Sequence, residues 1–143
     1  MINRDDVKKI LSLIVDSGNF EEFQKCVTPD FCYEFIGTQP YSGQWKGADA
    51  VKRQFEVFNE NFTTQFKVKV METYVDTEQK TAAVRLQSFP LTDIGGGHYQ
   101  QYCAWFVYFT EDGKIKKIVD YSDTKLVNEM ILRVERAKME KLQ

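Results

Sequence analysis

The chain of 143 residues lacks the features that mark most specialised protein classes. No stretch approaches the roughly 20 consecutive apolar residues that a membrane-spanning helix needs. Its first residues, Met1-Ile2-Asn3-Arg4-Asp5-Asp6, are acidic where a secretory signal is basic, and no apolar run of signal length follows. Cysteine is scarce. Cys26, Cys32 and Cys103 are odd in number and form no close pair, so neither a disulfide framework nor zinc-ligand spacing is present. They suit buried free thiols in a reducing compartment, and the cytoplasm is the expected location. His98 is the only histidine, which excludes a multi-histidine metal site, and no metal or cofactor is expected. Nineteen basic residues stand against twenty-one acidic ones, so no global field draws nucleic acid or an anionic membrane. Lys67/Lys69 and Lys114/Lys116/Lys117 read as solvated strand faces and a turn. Gly95-Gly96-Gly97 is not a phosphate loop, because no helix follows it. Asn61-Phe62-Thr63 matches a glycosylation acceptor, but without a secretory signal the match is read as chance.

What is present is an ordinary globular composition, 43% hydrophobic and 28% charged, in one domain (1–143) large enough for its own core. Val7, Ile10, Leu11 and Ile14 recur at helical spacing between Arg4 and Asp16, with Gly18 as a stop. Asn19 and Glu22 form a capping-box pattern before a second helix carrying Phe20, Phe23 and Val27. Thr28-Pro29-Asp30 is expected to end that helix. Phe31–Ile36 reads as a strand and 41–47 as an irregular loop. A third helix from Asp49 to Phe62 places Val51, Phe55, Phe58 and Phe62 on one face. The period then falls to two, giving strands over Phe66–Val75 and Lys80–Phe89. A flexible connection over Pro90–Gly97 is expected between these and the last pair.

Asp112-Gly113 between two strand-like runs is a hairpin signal, because glycine accepts the positive φ of such turns. Asp123 stands directly before the last helical pattern and is expected to cap it. The Tyr102–Phe109 strand is apolar on both faces, Cys103/Trp105/Val107/Phe109 and Tyr102/Ala104/Phe106/Tyr108. A sheet with one wet face alternates, so both faces should be covered, one by helices and the other by a second copy of the chain. A homodimer is therefore expected. Alternation on the following strand groups Ile118, Asp120 and Ser122, and a carboxylate in so apolar a strand is costly unless paired or used.

Helices first and an antiparallel meander afterwards indicate an α+β domain. Gly43-Gln-Trp-Lys-Gly47 before the third helix, Phe106-Val-Tyr-Phe109, Asp112-Gly-Lys-Ile115 and Asp120-Tyr-Ser-Asp123 together resemble the nuclear-transport-factor-2-like superfamily and its SnoaL-like branch, over essentially the whole chain. The resemblance implies a cone-shaped, cystatin-like curled antiparallel sheet with three helices in the N-terminal half and a C-terminal helix. It implies an apolar pocket between sheet and helices, usually within a dimer. The functions it implies range over small-ring cyclases, ketosteroid isomerases, dehydratases, epoxide hydrolases and inert binding modules.

In this family an aspartate matching Asp120 points into the pocket as general acid or base, and dehydratases of the branch pair it with a histidine, here His98. The epoxide-hydrolase-like branch carries Arg-x-Asp on the strand of Arg85, but Gln87 replaces the second carboxylate. Arg85 then either pairs with Asp120 or faces outward while Ala82, Val84 and Leu86 face the core. Tyr33, Tyr102, Trp45 and Phe106 are the expected substrate contacts, with Tyr74 and Tyr99 in the same amphipathic inventory, and Glu34 lies near the base position of ketosteroid-isomerase-like sites. The function implied is cofactor-independent proton transfer (isomerisation, cyclisation or dehydration) on a small hydrophobic cyclic carbonyl or hydroxyl compound. The alternative is a non-catalytic binding or dimerisation module, and the sequence leaves open whether the chain is an enzyme.

Overall fold

The computed structural model describes residues 2–15 and 20–143. Its elements in chain order are α1 (Arg4–Val15), α2 (Phe20–Gln24), β1 (Val27–Ile36), β2 (Gly43–Lys46), α3 (Ala48–Asn59), β3 (Val68–Asp76), β4 (Thr81–Ser88), β5 (Leu91–Thr92), β6 (His98–Tyr99), β7 (Tyr102–Phe109), β8 (Ile115–Ser122) and α4 (Thr124–Lys141). The Asn3 side chain accepts from the Asp6 N–H at 2.9 Å, satisfying one donor at the start of α1, and Val7 and Leu11 turn their side chains into the core. The expected stop at Gly18 and capping residue Asn19 lie outside the described residues.

Six strands form one sheet in the order β2-β1-β8-β7-β4-β3. The expected α+β class with a curled sheet holds, but the sheet is not a pure meander. β1 pairs parallel with β8, bringing Phe35 beside Asp120 although the two are far apart in sequence. β1 also begins at Val27, four residues before the expected strand, because Val27 already pairs with Ile115. Pro29 lies where the register shifts between Val27 and Cys32, a place where a residue without an N–H breaks no ladder bond. The stretch expected to be an irregular loop contains β2, antiparallel to β1 with Trp45 opposite Tyr33. Further register shifts between Val70 and Glu72 and between Tyr108 and Phe109 bend the sheet into its curl.

The inner face carries one core, with Phe31, Val84, Val107, Phe109, Ile115 and Ile118 among its buried residues, under α1 and α3. A second cluster gathers Phe62, Leu91 and Tyr99 beneath Val127, Met130 and Val134 of α4. Asp123 caps α4 by accepting from the Leu126 N–H at 3.2 Å, as expected. The outer face leaves Tyr74, Tyr102, Phe106 and Tyr121 exposed, with Phe106 and Tyr121 in edge contact at 5.8 Å.

The expected flexible connection is instead a pinned hairpin. Leu91 and Thr92 pair with Tyr99 and His98, and the buried Asp93 accepts from the Gly95 and Gly97 N–H groups at 2.9 and 3.1 Å. Its other oxygen takes Arg133 of α4 through Nε at 2.9 Å and a terminal nitrogen at 2.8 Å. A Cβ at Gly97 would stand 1.9 Å from Arg133 Nε, so this position must be glycine for the pair to close. Asn61 is likewise buried, its amide donating to the Tyr41 hydroxyl at 2.7 Å and the Phe58 carbonyl at 2.9 Å, which removes it from reach of glycosylation. Among the described residues, no helix is long and apolar enough to cross a membrane.

Candidate functional site

The inward residues of β1, β7 and β8 meet α3 and β2 around one apolar space. Tyr33 on β1 stacks on Trp45 (ring centroids 6.2 Å) and packs edge-on against Phe55 of α3 (5.2 Å) and Trp105 of β7 (6.0 Å). Asp120 on β8 stands opposite Trp105 in the ladder, so both side chains rise on the same inner face. With Phe35, Tyr41, Phe58, Phe66, Tyr99, Cys103 and Ser122 they line a cavity of about 60 Å³. An engineered cavity of about 150 Å³ holds benzene, so a ring-sized ligand requires the aromatic walls here to move apart.

Asp120 is 4% exposed, and its partners are all neutral. The Tyr33 hydroxyl donates to Oδ2, and the Ser122 hydroxyl donates to Oδ1 at 2.6 Å. Among the described residues no lysine, arginine or histidine pairs with it. Loss of water is the largest influence and raises its pKa above the usual aspartate value, against the lowering by Ser122, Tyr33 and Trp105. Burial and the adjacent Asp120 together push the Tyr33 hydroxyl well above an ordinary phenol, so it stays a proton donor. The Cys103 thiol is also raised, by burial first and Asp120 second, which leaves it without nucleophilic character.

The structure thus brings together three of the expected site residues, Asp120, Tyr33 and Trp45, and sends the others elsewhere. His98 is exposed on β6, with its carbonyl turned towards Arg133, and does not line the cavity. The hairpin pinned by Asp93 fixes it there, so the expected His98–Asp120 pair does not form. Arg85 faces outward and pairs with Glu72 at 2.5 Å, while Ala82, Val84 and Leu86 fill the core. Tyr102 and Phe106 share that outer face, at 57% and 39% exposure, because strand alternation sets them opposite Cys103 and Trp105. They are surface aromatics and not cavity contacts. Glu34 also points away, held by Lys117 at 3.1 Å, which lowers its pKa together with Gln44. Ser122 and Trp105 were not expected as site residues, although the alternation that placed Asp120 inward also places Ser122. Tyr99, which belongs to the amphipathic inventory expected to suit a pocket, does line the cavity, its hydroxyl held by Gln101 two residues on.

The family model for the SnoaL-like domain matches residues 4–118. No curated protein matches the sequence. Among solved structures, an NTF2-like protein from Burkholderia thailandensis is 17% identical with a TM-score of 0.73, covering 86% of this chain and 95% of its own. A protein from Jannaschia sp. CCS1, provisionally assigned as a SnoaL-like polyketide cyclase, is 15% identical with a TM-score of 0.68, covering 83% and 86%. A protein from Bacillus subtilis, provisionally assigned as an isomerase, is 17% identical with a TM-score of 0.67, covering 87% and 88%. At these identities the likeness fixes the fold and nothing finer.

Proposed function

The chain belongs to the SnoaL-like domain family, and from that premise we propose that it is a cofactor-independent enzyme moving a proton on a small, largely apolar ring compound that bears a carbonyl or hydroxyl group. The observation that carries this reading is Asp120, a carboxyl buried in an aromatic cavity with hydroxyl partners and no cation. Burial narrows the gap between its charged and neutral forms, which is what a group that takes and returns a proton requires. In the ionised form it removes a proton from carbon next to a carbonyl, and the C–H electron pair passes into the enolate. The proton, now on Asp120, returns to a different carbon in an isomerisation or goes to a departing hydroxyl in a dehydration. Tyr33 and Ser122 hold the carboxyl in place and ease its charged state. The polyketide cyclase and isomerase assignments of the neighbours point in the same direction.

Proton exchange tests this directly. The protein is incubated in deuterated buffer with small cyclic ketones, cyclopentanone first, and deuterium at the carbon next to the carbonyl is followed by NMR. Exchange faster than in buffer is expected, with a rate that rises as Asp120 ionises.

A second reading, a non-catalytic binding or dimerisation module, draws on the small cavity and on the exposed aromatic outer face. Saturable ketone binding with no exchange above buffer would select it.

A further inference from the structure

Two donors in the cavity have no acceptor. The Trp105 indole nitrogen is buried and makes no hydrogen bond. A buried N–H without a partner is costly, and native proteins leave few of them. Its position makes the unmet donor informative, because Trp105 faces Asp120 across the β7–β8 ladder and meets Tyr33 edge-on at 89°. The indole N–H approaches the Asp120 and Tyr33 oxygens closely enough to ease the charged form of each as a donor does, yet it makes no hydrogen bond of ordinary length and angle to either.

Tyr99 supplies the second donor. The Gln101 side-chain oxygen accepts from the backbone N–H groups of Tyr102 at 3.0 Å and Asp123 at 2.9 Å. That fixes the amide orientation, so its nitrogen must donate to the Tyr99 hydroxyl at 3.0 Å. The Tyr99 oxygen is therefore an acceptor there. Its own proton has no hydrogen-bond acceptor among the described residues, in a side chain that lines the same cavity.

We propose that the cavity is built for a ligand whose oxygen is a hydrogen-bond acceptor, a ketone or the enolate formed from it, with the Trp105 indole N–H as the principal donor and Tyr99 as the second. This rests on the proton-transfer reading only for the fate of the ligand. It selects among the compounds that reading admits. A ring whose sole polar group serves as a donor would leave both donors unmet, and a hydrocarbon ring would do the same. A carbonyl oxygen meets them while the adjacent C–H is offered to Asp120. Negative charge growing on that oxygen strengthens both bonds during the transfer, in a site with little water. Trp105 thereby acts on binding and on the developing charge, and Asp120 on the proton.

The chain has two tryptophans, Trp45 and Trp105, so an amide–nitrogen correlation spectrum contains two indole N–H signals, assigned with the Trp45→Phe variant. The wild-type protein is titrated with cyclopentanone and, separately, with methylenecyclopentane, which has the same shape and no oxygen. The ketone is expected to move the Trp105 signal downfield, saturably, and to bind at least about tenfold more tightly than the hydrocarbon. In Trp105→Phe the ketone should lose that advantage. Equal binding of the two probes overturns the proposal, as does ketone binding that leaves the Trp105 signal unmoved, or no saturable binding of the ketone. A Trp105 shift without proton exchange rejects the enzyme reading alone. Exchange with an unmoved Trp105 signal rejects the donor assignment alone.

Discussion

Replacing Asp120 by asparagine removes a charge and keeps the shape, and its effect on stability should depend on pH in a definite direction. In the folded protein Asp120 holds its proton more tightly than in the unfolded chain, where an aspartate titrates near about 3.9. The folded state therefore binds more protons through that window, and wild-type stability falls as pH rises. For one group the fall is at most about 1.4 kcal/mol per pH unit, beginning near the unfolded value and ending once the folded carboxyl has ionised. Two opposing effects set the size. Taking an ion out of water costs several kcal/mol even after relaxation, and each hydroxyl donor returns about 1.5–3 kcal/mol. The Tyr33 and Ser122 donors leave the desolvation incompletely offset, which is why the shift is upward. The asparagine of the variant does not ionise, so the stability gap between variant and wild type should open in favour of the variant from about pH 4 upward and then level off. Subtracting the two curves cancels every group they share. Urea unfolding of both proteins at half-unit steps from pH 4 to pH 8 measures the gap. A gap that is flat with pH, or one that opens in favour of wild type, rules out a raised Asp120 pKa, because the fold would then not favour its neutral form.

Four further outcomes follow from contacts described above. Tyr33→Phe removes a donor from the Asp120 carboxylate, so it should cost about 1 kcal/mol in urea unfolding and move the acid limb of any proton-transfer profile to higher pH; an unmoved limb would separate Tyr33 from Asp120. Arg133→Met strands the buried Asp93 and should cost about 3 kcal/mol in thermal or urea unfolding. Gly97→Ala breaks the same pair by displacing Arg133, so the double variant should lose little more than either single one, and fully additive losses would contradict the shared mechanism. The exposed aromatics of the outer sheet face motivate a homodimer, so wild type should elute at the mass of two chains and Phe106→Glu at one; a wild-type mass of one chain ends that proposal.

Where the sequence was legible, local physics and tertiary structure agreed. Asp112-Gly113 makes the turn with Gly113 at φ 83°, Asp123 caps α4, and the helical spacing of Val51, Phe55 and Phe58 puts all three against the cavity. Alternation sufficed to send Asp120 inward. It also favoured Arg85 outward, beside buried Ala82, Val84 and Leu86. What could not be read depends on partners distant in sequence. The parallel pairing of β1 with β8 leaves no local trace, and it sets both the early start of β1 at Val27 and the placement of Phe35 beside Asp120. β2 is four residues long, opening on Gly43 and followed by Gly47, both at positive φ, and is too short for any period to show. The triple glycine suggested mobility because its anchor, Arg133, lies some forty residues on, and that anchor also keeps His98 from the cavity. Residue type alone suggests Tyr102 and Phe106 as contacts, although their own strand's alternation already sets them opposite Trp105.

If Asp120 carries the proton, deuterium exchange into cyclopentanone separates wild type from Asp120→Asn when the two are run side by side at neutral pH. Loss of a general acid–base group costs on the order of 10²–10⁴ in rate, so the variant should fall to the buffer rate while its folded spectrum and ketone binding persist. An Asp120→Asn protein that exchanges deuterium as fast as wild type removes Asp120 from the proton transfer.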